Sequence, residues 1–213
     1  MHSMDQRSAE WFAARLGKAT ASKIADIMAT TKSGYSTSRA NYAAQLICER
    51  LTGTPTETFS NAAMAWGTEK EPEARDAYAM YRLCEVKEVG FADHPTIPMA
   101  GASPDGLVGA DGLVEIKCPN TATHIETLRT KAVPSKYVKQ MMWQMACTDR
   151  QWCDFASYDP RMPEEMRLIV IRLHRCADSV AEMEAEVAKF LAEVDEAVAE
   201  LRNQYEPQKE LAA

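Results

Sequence analysis

No two cysteines in this 213-residue chain have the Cys-x-x-Cys spacing of a zinc site. Cys48, Cys84, Cys118, Cys147, Cys153 and Cys176 are scattered singly, which argues against a disulfide framework and makes a reducing cytoplasm the expected compartment. Also missing are an apolar run of membrane-spanning length, a secretory leader, an internal repeat and a low-complexity linker. Positive charge is in deficit: 24 Lys and Arg stand against 31 Asp and Glu, a formal net charge of −7. That excludes a protein that coats nucleic acid by charge alone, but not one whose local field differs from its total.

What remains is a chain of ordinary globular composition, 46% apolar and 26% charged, long enough for one large domain over 1–213. A short helix is expected over 5–16, with Asp5 or Ser8 as its cap and Gly17 as its stop. A second helix is expected from Thr20-Ala21-Ser22 to about Ala29, a polar loop over 30–38, and helices over 39–52 and 62–82. One strand is expected over 83–92, a hairpin over 105–109 and 112–118, and a helix over 134–148. Strands over 152–158 and 166–174 follow, the second with the β-prone core Leu168-Ile169-Val170-Ile171. A closing helix over 178–204 carries one apolar stripe, from Val180 to Leu201, and an acidic face read as solvated surface. The fold class is α/β, with a mixed central sheet flanked by helices and a long C-terminal helix.

The chemistry concentrates in Ser103-Pro-Asp-Gly-Leu107 and Glu115-Ile-Lys117. Side chains alternate along a strand, so Glu115 and Lys117 share a face and Ile116 points the other way. A hairpin brings Asp105 beside them. Two carboxylates and an ammonium then converge, an oxygen-rich set suited to Mg²⁺, with Mn²⁺ as a substitute, and to phosphodiester hydrolysis. Lys117 can orient the attacking water or help deprotonate it, and can stabilise charge building on phosphate. The plainer alternative is a hairpin turn with a surface salt bridge. Cys118 should face away from the site as a buried structural thiol. Glu71 and Gln140 taken alone read as solvated helix faces, and Ser22 and Arg15 as a helix cap and an ion-pair partner.

Pro-Asp followed by Glu-x-Lys resembles the signature of the PD-(D/E)xK nucleases. Further segments narrow the likeness: Trp11-Phe-Ala-Ala-Arg15-Leu-Gly17 with Thr20-Ala-Ser22, Ala65-Trp66-Gly67 with Glu71 and Ala74-Arg75, Cys118-Pro119 after the motif, and Tyr137 with Gln140 before Tyr158-Asp-Pro-Arg-Met162. Spread over about residues 10–162, they resemble the lambda exonuclease family, the YqaJ-like phage recombination exonucleases.

The resemblance implies a restriction-endonuclease-like core and a processive 5′→3′ exonuclease on linear double-stranded DNA. Such an enzyme releases mononucleotides and leaves a 3′ single strand for a single-strand annealing protein. It implies a ring-shaped homotrimer around DNA in the cytoplasm of a bacterial host, encoded by a phage or prophage. Asp105, Glu115 and Lys117 would be catalytic, with Glu71 and Gln140 in support. Asp105, Glu115, the Ile116 carbonyl and Glu71 would hold two Mg²⁺ ions. Arg15, Thr20, Ser22 and, beside the metal site, Ser103 would contact the 5′-phosphate or DNA, and Met64 would take the place of an apolar wedge at the duplex end. The family's prototype carries an arginine after Cys-Pro; Asn120–His124 offers none, leaving His124, Arg129 or Lys131 as substitutes. Lys117, Arg129, Lys131, Lys136 and Lys139 are the candidates to line a basic bore inside an acidic exterior. An endonuclease on the same core, of restriction or junction-resolving type, and a non-catalytic recombination module are the alternatives.

Overall fold

The computed structural model describes residues 5–56 and 62–205. In chain order the elements are α1 (Ala9–Arg15), β1 (Ala19–Thr20), a 3-10 turn (Ala21–Lys23), α2 (Ile24–Ile27), β2 (Thr30–Thr31), β3 (Gly34–Tyr35), α3 (Thr37–Thr52) and α4 (Ala62–Arg82). Then come β4 (Val86–Lys87), β5 (Ala92–Asp93), β6 (Ala100–Ala102), β7 (Gly106–Val108), β8 (Gly112–Lys117), α5 (Thr121–Thr130), α6 (Ser135–Thr148), β9 (Trp152–Tyr158), β10 (Leu168–His174) and α7 (Ala177–Tyr205).

Strands β10-β9-β8-β7-β4 form the main sheet, and β1-β6-β5 a smaller one. Only the β8–β9 pairing in the main sheet is parallel, with Glu115 opposite Phe155 and Lys117 opposite Ser157. A parallel neighbour needs a crossover, which α5 and α6 supply. The β7–β8 hairpin closes tightly at Gly109, whose φ of +54° suits glycine. A side chain on Gly112 would lie 2.1 Å from the Trp152 ring, so close strand packing there requires glycine.

Alternation along β8 and β9 divides the core between the two sides of the sheet. Leu113, Cys153 and Phe155 join α6 and α7 in one buried cluster, and Val114, Ile116, Ala156 and Tyr158 pack with Ala74 and Tyr78 of α4 in the other. Glu115 and Lys117 therefore share the Leu113 side, facing α6, while Cys118 packs with Ile116 as expected.

Five expectations need correction. The helix expected from Thr20-Ala21-Ser22 to about Ala29 is instead the end of β1, a 3-10 turn and the four-residue α2. The segment 83–92 is two short strands in different sheets, since the chain crosses from one sheet to the other between Lys87 and Ala92. The polar stretch 30–38 contains the β2–β3 hairpin, turned at Gly34 with φ +124°. Helix α5 had no counterpart in the sequence reading. Four threonines depress its helix propensity, yet Asn120 caps it, its Oδ1 accepting from Thr123 N at 2.9 Å. The acidic face of α7 is not simply solvated: Glu186 and Glu193 pair with buried Arg39 at 3.2 and 2.9 Å, and Asp195 with Arg50 at 2.5 Å, locking α7 to α3.

On the α4 side, Asp154 is fully buried, accepts hydrogen bonds from Tyr78 Oη and Arg172 at 2.8–3.0 Å, and pairs with Arg82 at 3.0 Å. Asp154→Ala would leave the buried Tyr78 Oη without its acceptor and two partly exposed arginines without their counter-charge. Urea unfolding should show a loss of about 1–3 kcal/mol.

Candidate active site

Strand β8 ends at the partly buried Lys117, and the hairpin sets Asp105 next to it. The last β7–β8 pair is Gly106 with Val114. Just beyond it the Asp105 side chain takes over from the ladder, its Oδ2 accepting from Ile116 N at 2.7 Å. Glu115 is fully buried. Its Oε1 accepts from Lys117 Nζ in a close ion pair and from Gln140 Nε2 at 2.5 Å, and its Oε2 accepts from Gln144 Nε2 at 2.6 Å. Lys117 Nζ also stands 4.0 Å from Asp105 Oδ2 and 5.4 Å from the centre of the Tyr137 ring.

The electrostatics follow from burial and crowding. Burial, then the charge of Glu115, pushes the Asp105 carboxyl up to about 8 against the pull of Lys117. Burial works to lower the Lys117 ammonium, but Glu115 and Asp105 outweigh it and hold it above its ordinary value. Lys117 is thus a cation poised to donate hydrogen bonds, not a free base. Burial, then Glu71, raises the Cys118 thiol to about 12, which makes it inert.

Glu71 lies near this centre but turns towards arginines: Oε2 meets Arg7 Nη2 at 2.7 Å and Oε1 meets Arg75 Nη2 at 3.0 Å. Among the described residues no three His, Cys, Asp or Glu side chains stand close enough to hold a metal ion. Asp105 and Glu115 nevertheless fit a hard cation. Both are oxygen donors, and both lie within reach of Lys117, so the cluster is of the hard, oxygen-rich kind that a divalent ion takes.

A second feature is linked to the acid pair through Ser103. A cavity of about 400 Å³ is lined by Arg15, Thr20, Ser22 and Met64 together with Lys18, Lys23 and Glu49. Arg15 stacks on the Trp11 ring at 4.0 Å and donates to Ser103 Oγ at 3.3 Å, and Trp11 Nε1 donates to the same oxygen at 2.9 Å. Ser103 therefore ties the cavity wall to the Ser103-Pro104-Asp105 segment. Ser22 is exposed and caps no helix; Thr20 N donates to Tyr42 Oη at 3.1 Å. Met64 is half exposed.

The structure thus gathers Asp105, Glu115, Lys117 and Gln140 at one point, and Arg15, Thr20, Ser22 and Met64 around one cavity. His124 does not serve as a DNA contact. It is fully buried, with Nδ1 at 2.8 Å from Ser157 Oγ and Nε2 at 2.7 Å from the Met166 carbonyl. Gln144, which had no assigned role, reaches Glu115. The legible signal was its spacing: it follows Gln140 by four residues, on the same helix face.

A buried acid beside a second acid and a lysine, at one end of the central strands of a mixed sheet, is chemically suited to phosphodiester cleavage. The chain belongs to the YqaJ-like viral recombinase family, whose domain pattern matches residues 10–151. The alkaline exonuclease LHK-Exo of Laribacter hongkongensis is 54% identical; the match covers 92% of this chain and 97% of that enzyme, with a TM-score of 0.87. LHK-Exo has also been solved in complex with dAMP. A phage-related exonuclease of Haemophilus somnus 129PT, 16% identical over 86% of this chain and 96% of its own, shares the fold with a TM-score of 0.71. No curated protein matches the sequence.

Asp105→Asn removes one of two crowded negative charges and keeps an oxygen that can accept from Ile116 N. In EDTA at pH 8, differential scanning fluorimetry should show a Tm raised by about 2–4 °C, the shift that roughly 1 kcal/mol produces in a protein of this size. A lowered Tm would mean that the charges are not in conflict.

Proposed function

We propose that this recombination nuclease is an Mg²⁺-dependent exonuclease that degrades one strand of linear duplex DNA from its 5′ end. It would release mononucleotides processively and leave a 3′ single strand for an annealing partner. The observation that carries this reading is the junction at Ser103. It joins an acid-pair site to a cavity whose Arg15, Lys18 and Lys23 suit a phosphate group. Binding of dAMP, a nucleoside monophosphate, by the 54% identical LHK-Exo supports it.

Asp105, Glu115 and the Ile116 carbonyl would hold the ion, and Glu71 would contribute to a second ion only after leaving Arg7 and Arg75. When bound, Mg²⁺ supplies Lewis acidity at the scissile phosphate and a water of lowered pKa. The protein's own share is positional. Lys117, kept charged between two carboxylates, donates to the attacking water or to the phosphate oxygens as negative charge builds there. Arg15 anchors the terminal phosphate, so that the bond one nucleotide inward meets the acid pair. Met64 abuts the last base pair. A ring of three subunits, with Lys117, Arg129, Lys131, Lys136 and Lys139 lining the bore, would keep an acidic protein on DNA.

Two outcomes are expected. Linear duplex labelled at the 5′ end should lose its label early as mononucleotide, while 3′ label persists; early 3′ loss or internal fragments would reject the polarity. Arg15→Ala should lower the initial rate on 5′-phosphorylated ends at least tenfold and on 5′-hydroxyl ends much less. An equal loss on both ends would remove the phosphate role.

A further inference from the structure

We infer that Gln144 is a positioning residue that orients Glu115 for cation binding. This rests on the reading of Asp105 and Glu115 as an Mg²⁺ site and deepens it. Residues 141–147 of α6 are all buried, and Gln144 is the one carboxamide in a run otherwise made of Met, Trp, Ala and Cys. It is fully buried, so it cannot reach substrate or solvent. A core position of this kind would normally take an apolar side chain, as at Met141 and Met145 on the same helix.

The orientation of its amide is fixed by chemistry. An ionised carboxylate only accepts, so Gln144 must turn its nitrogen to Glu115 Oε2, at 2.6 Å. Its own Oε1 is left without a hydrogen-bond partner among the described residues. A buried oxygen without a donor is a cost that folding alone gives no reason to keep. The gain lies at Glu115. Lys117 and Gln140 share the other oxygen, Oε1, and both lie nearer the exposed mouth of the site. When Lys117 turns to a phosphate, Gln144 still grips Oε2 from the dry side. The carboxylate is thereby held against rotation, and Oε1, once Lys117 has left it, keeps a lone pair for a cation. Two carboxamides four residues apart on one helix thus form a fork around the acid, the inner tine being Gln144.

Gln144→Met fills nearly the same volume and removes the donor. Mg²⁺ affinity is read by isothermal titration calorimetry, and independently by the rise in Tm that Mg²⁺ produces over EDTA. The expected result is a Kd weakened fivefold or more, with a correspondingly smaller Tm rise, in a variant whose circular dichroism matches the parent. Should Gln144→Met fail to fold, Gln144→Asn, which keeps the amide but falls short of Glu115, is judged by the same threshold. A Kd changed by less than fivefold in the folded variant overturns the inference. Failure of the underlying reading looks different: the parent protein would bind no Mg²⁺, or would bind it equally well after Glu115→Gln.

Discussion

One buried carboxylate organises this molecule. Glu115 sits in the middle of the main sheet without any contact with water, and an unpaired charge there would be intolerable. Three donors make it tenable: Lys117 two residues along the same strand, and Gln140 and Gln144 from the helix packed above. Each depends on a piece of the fold. The pleat puts Lys117 on the same side, the crossover lays α6 over that face, and the Gly109 turn returns Asp105 to close the group. Removing the sheet register or the helix would strand the charge, so the fold and the site stand or fall together.

The second organising element is the Ser103 hydroxyl, which accepts from both Trp11 and Arg15. Through it the N-terminal helix and the cavity wall are tied to the Ser103-Pro104-Asp105 segment that leads into β7. A substrate end seated in the cavity would thereby be held at a fixed distance from the acids, the requirement for removing one nucleotide at a time. Glu71 stands apart from this arrangement in the structure. Its two arginine partners hold it off the acid pair, which keeps three carboxylates from crowding one spot.

Much of this was legible in the residues. The alternation of Glu115, Ile116 and Lys117 gave the facing of the site, and the apolar stripes of α6 and α7 gave those helices almost to the residue. What was hidden had physical causes. Helix α5 was masked by its threonines, whose intrinsic preference is overridden by the Asn120 cap and by burial of His124 and Thr127. The ion pairs of α7 were invisible because Arg39 and Arg50 lie some 145 residues or more away in sequence from their partners. Glu71 could be placed on its helix, four residues before Arg75 and so in reach of it, but nothing local foretold that Arg7, 64 residues away, would also claim it. Gln144 looked like one more residue of a helix because its meaning arises only when β8 lies beneath it.

The central claim is that hydrolysis occurs at the acid pair and requires a free DNA end and the Lys117 cation. The most direct test is digestion of linear and covalently closed circular duplex DNA in Mg²⁺ by the parent protein and by Lys117→Ala, each shown to be folded. The account predicts that the parent degrades the linear duplex, spares the closed circle and loses activity in EDTA, and that Lys117→Ala degrades neither substrate. Full activity in Lys117→Ala, or equal cutting of the closed circle, would contradict it.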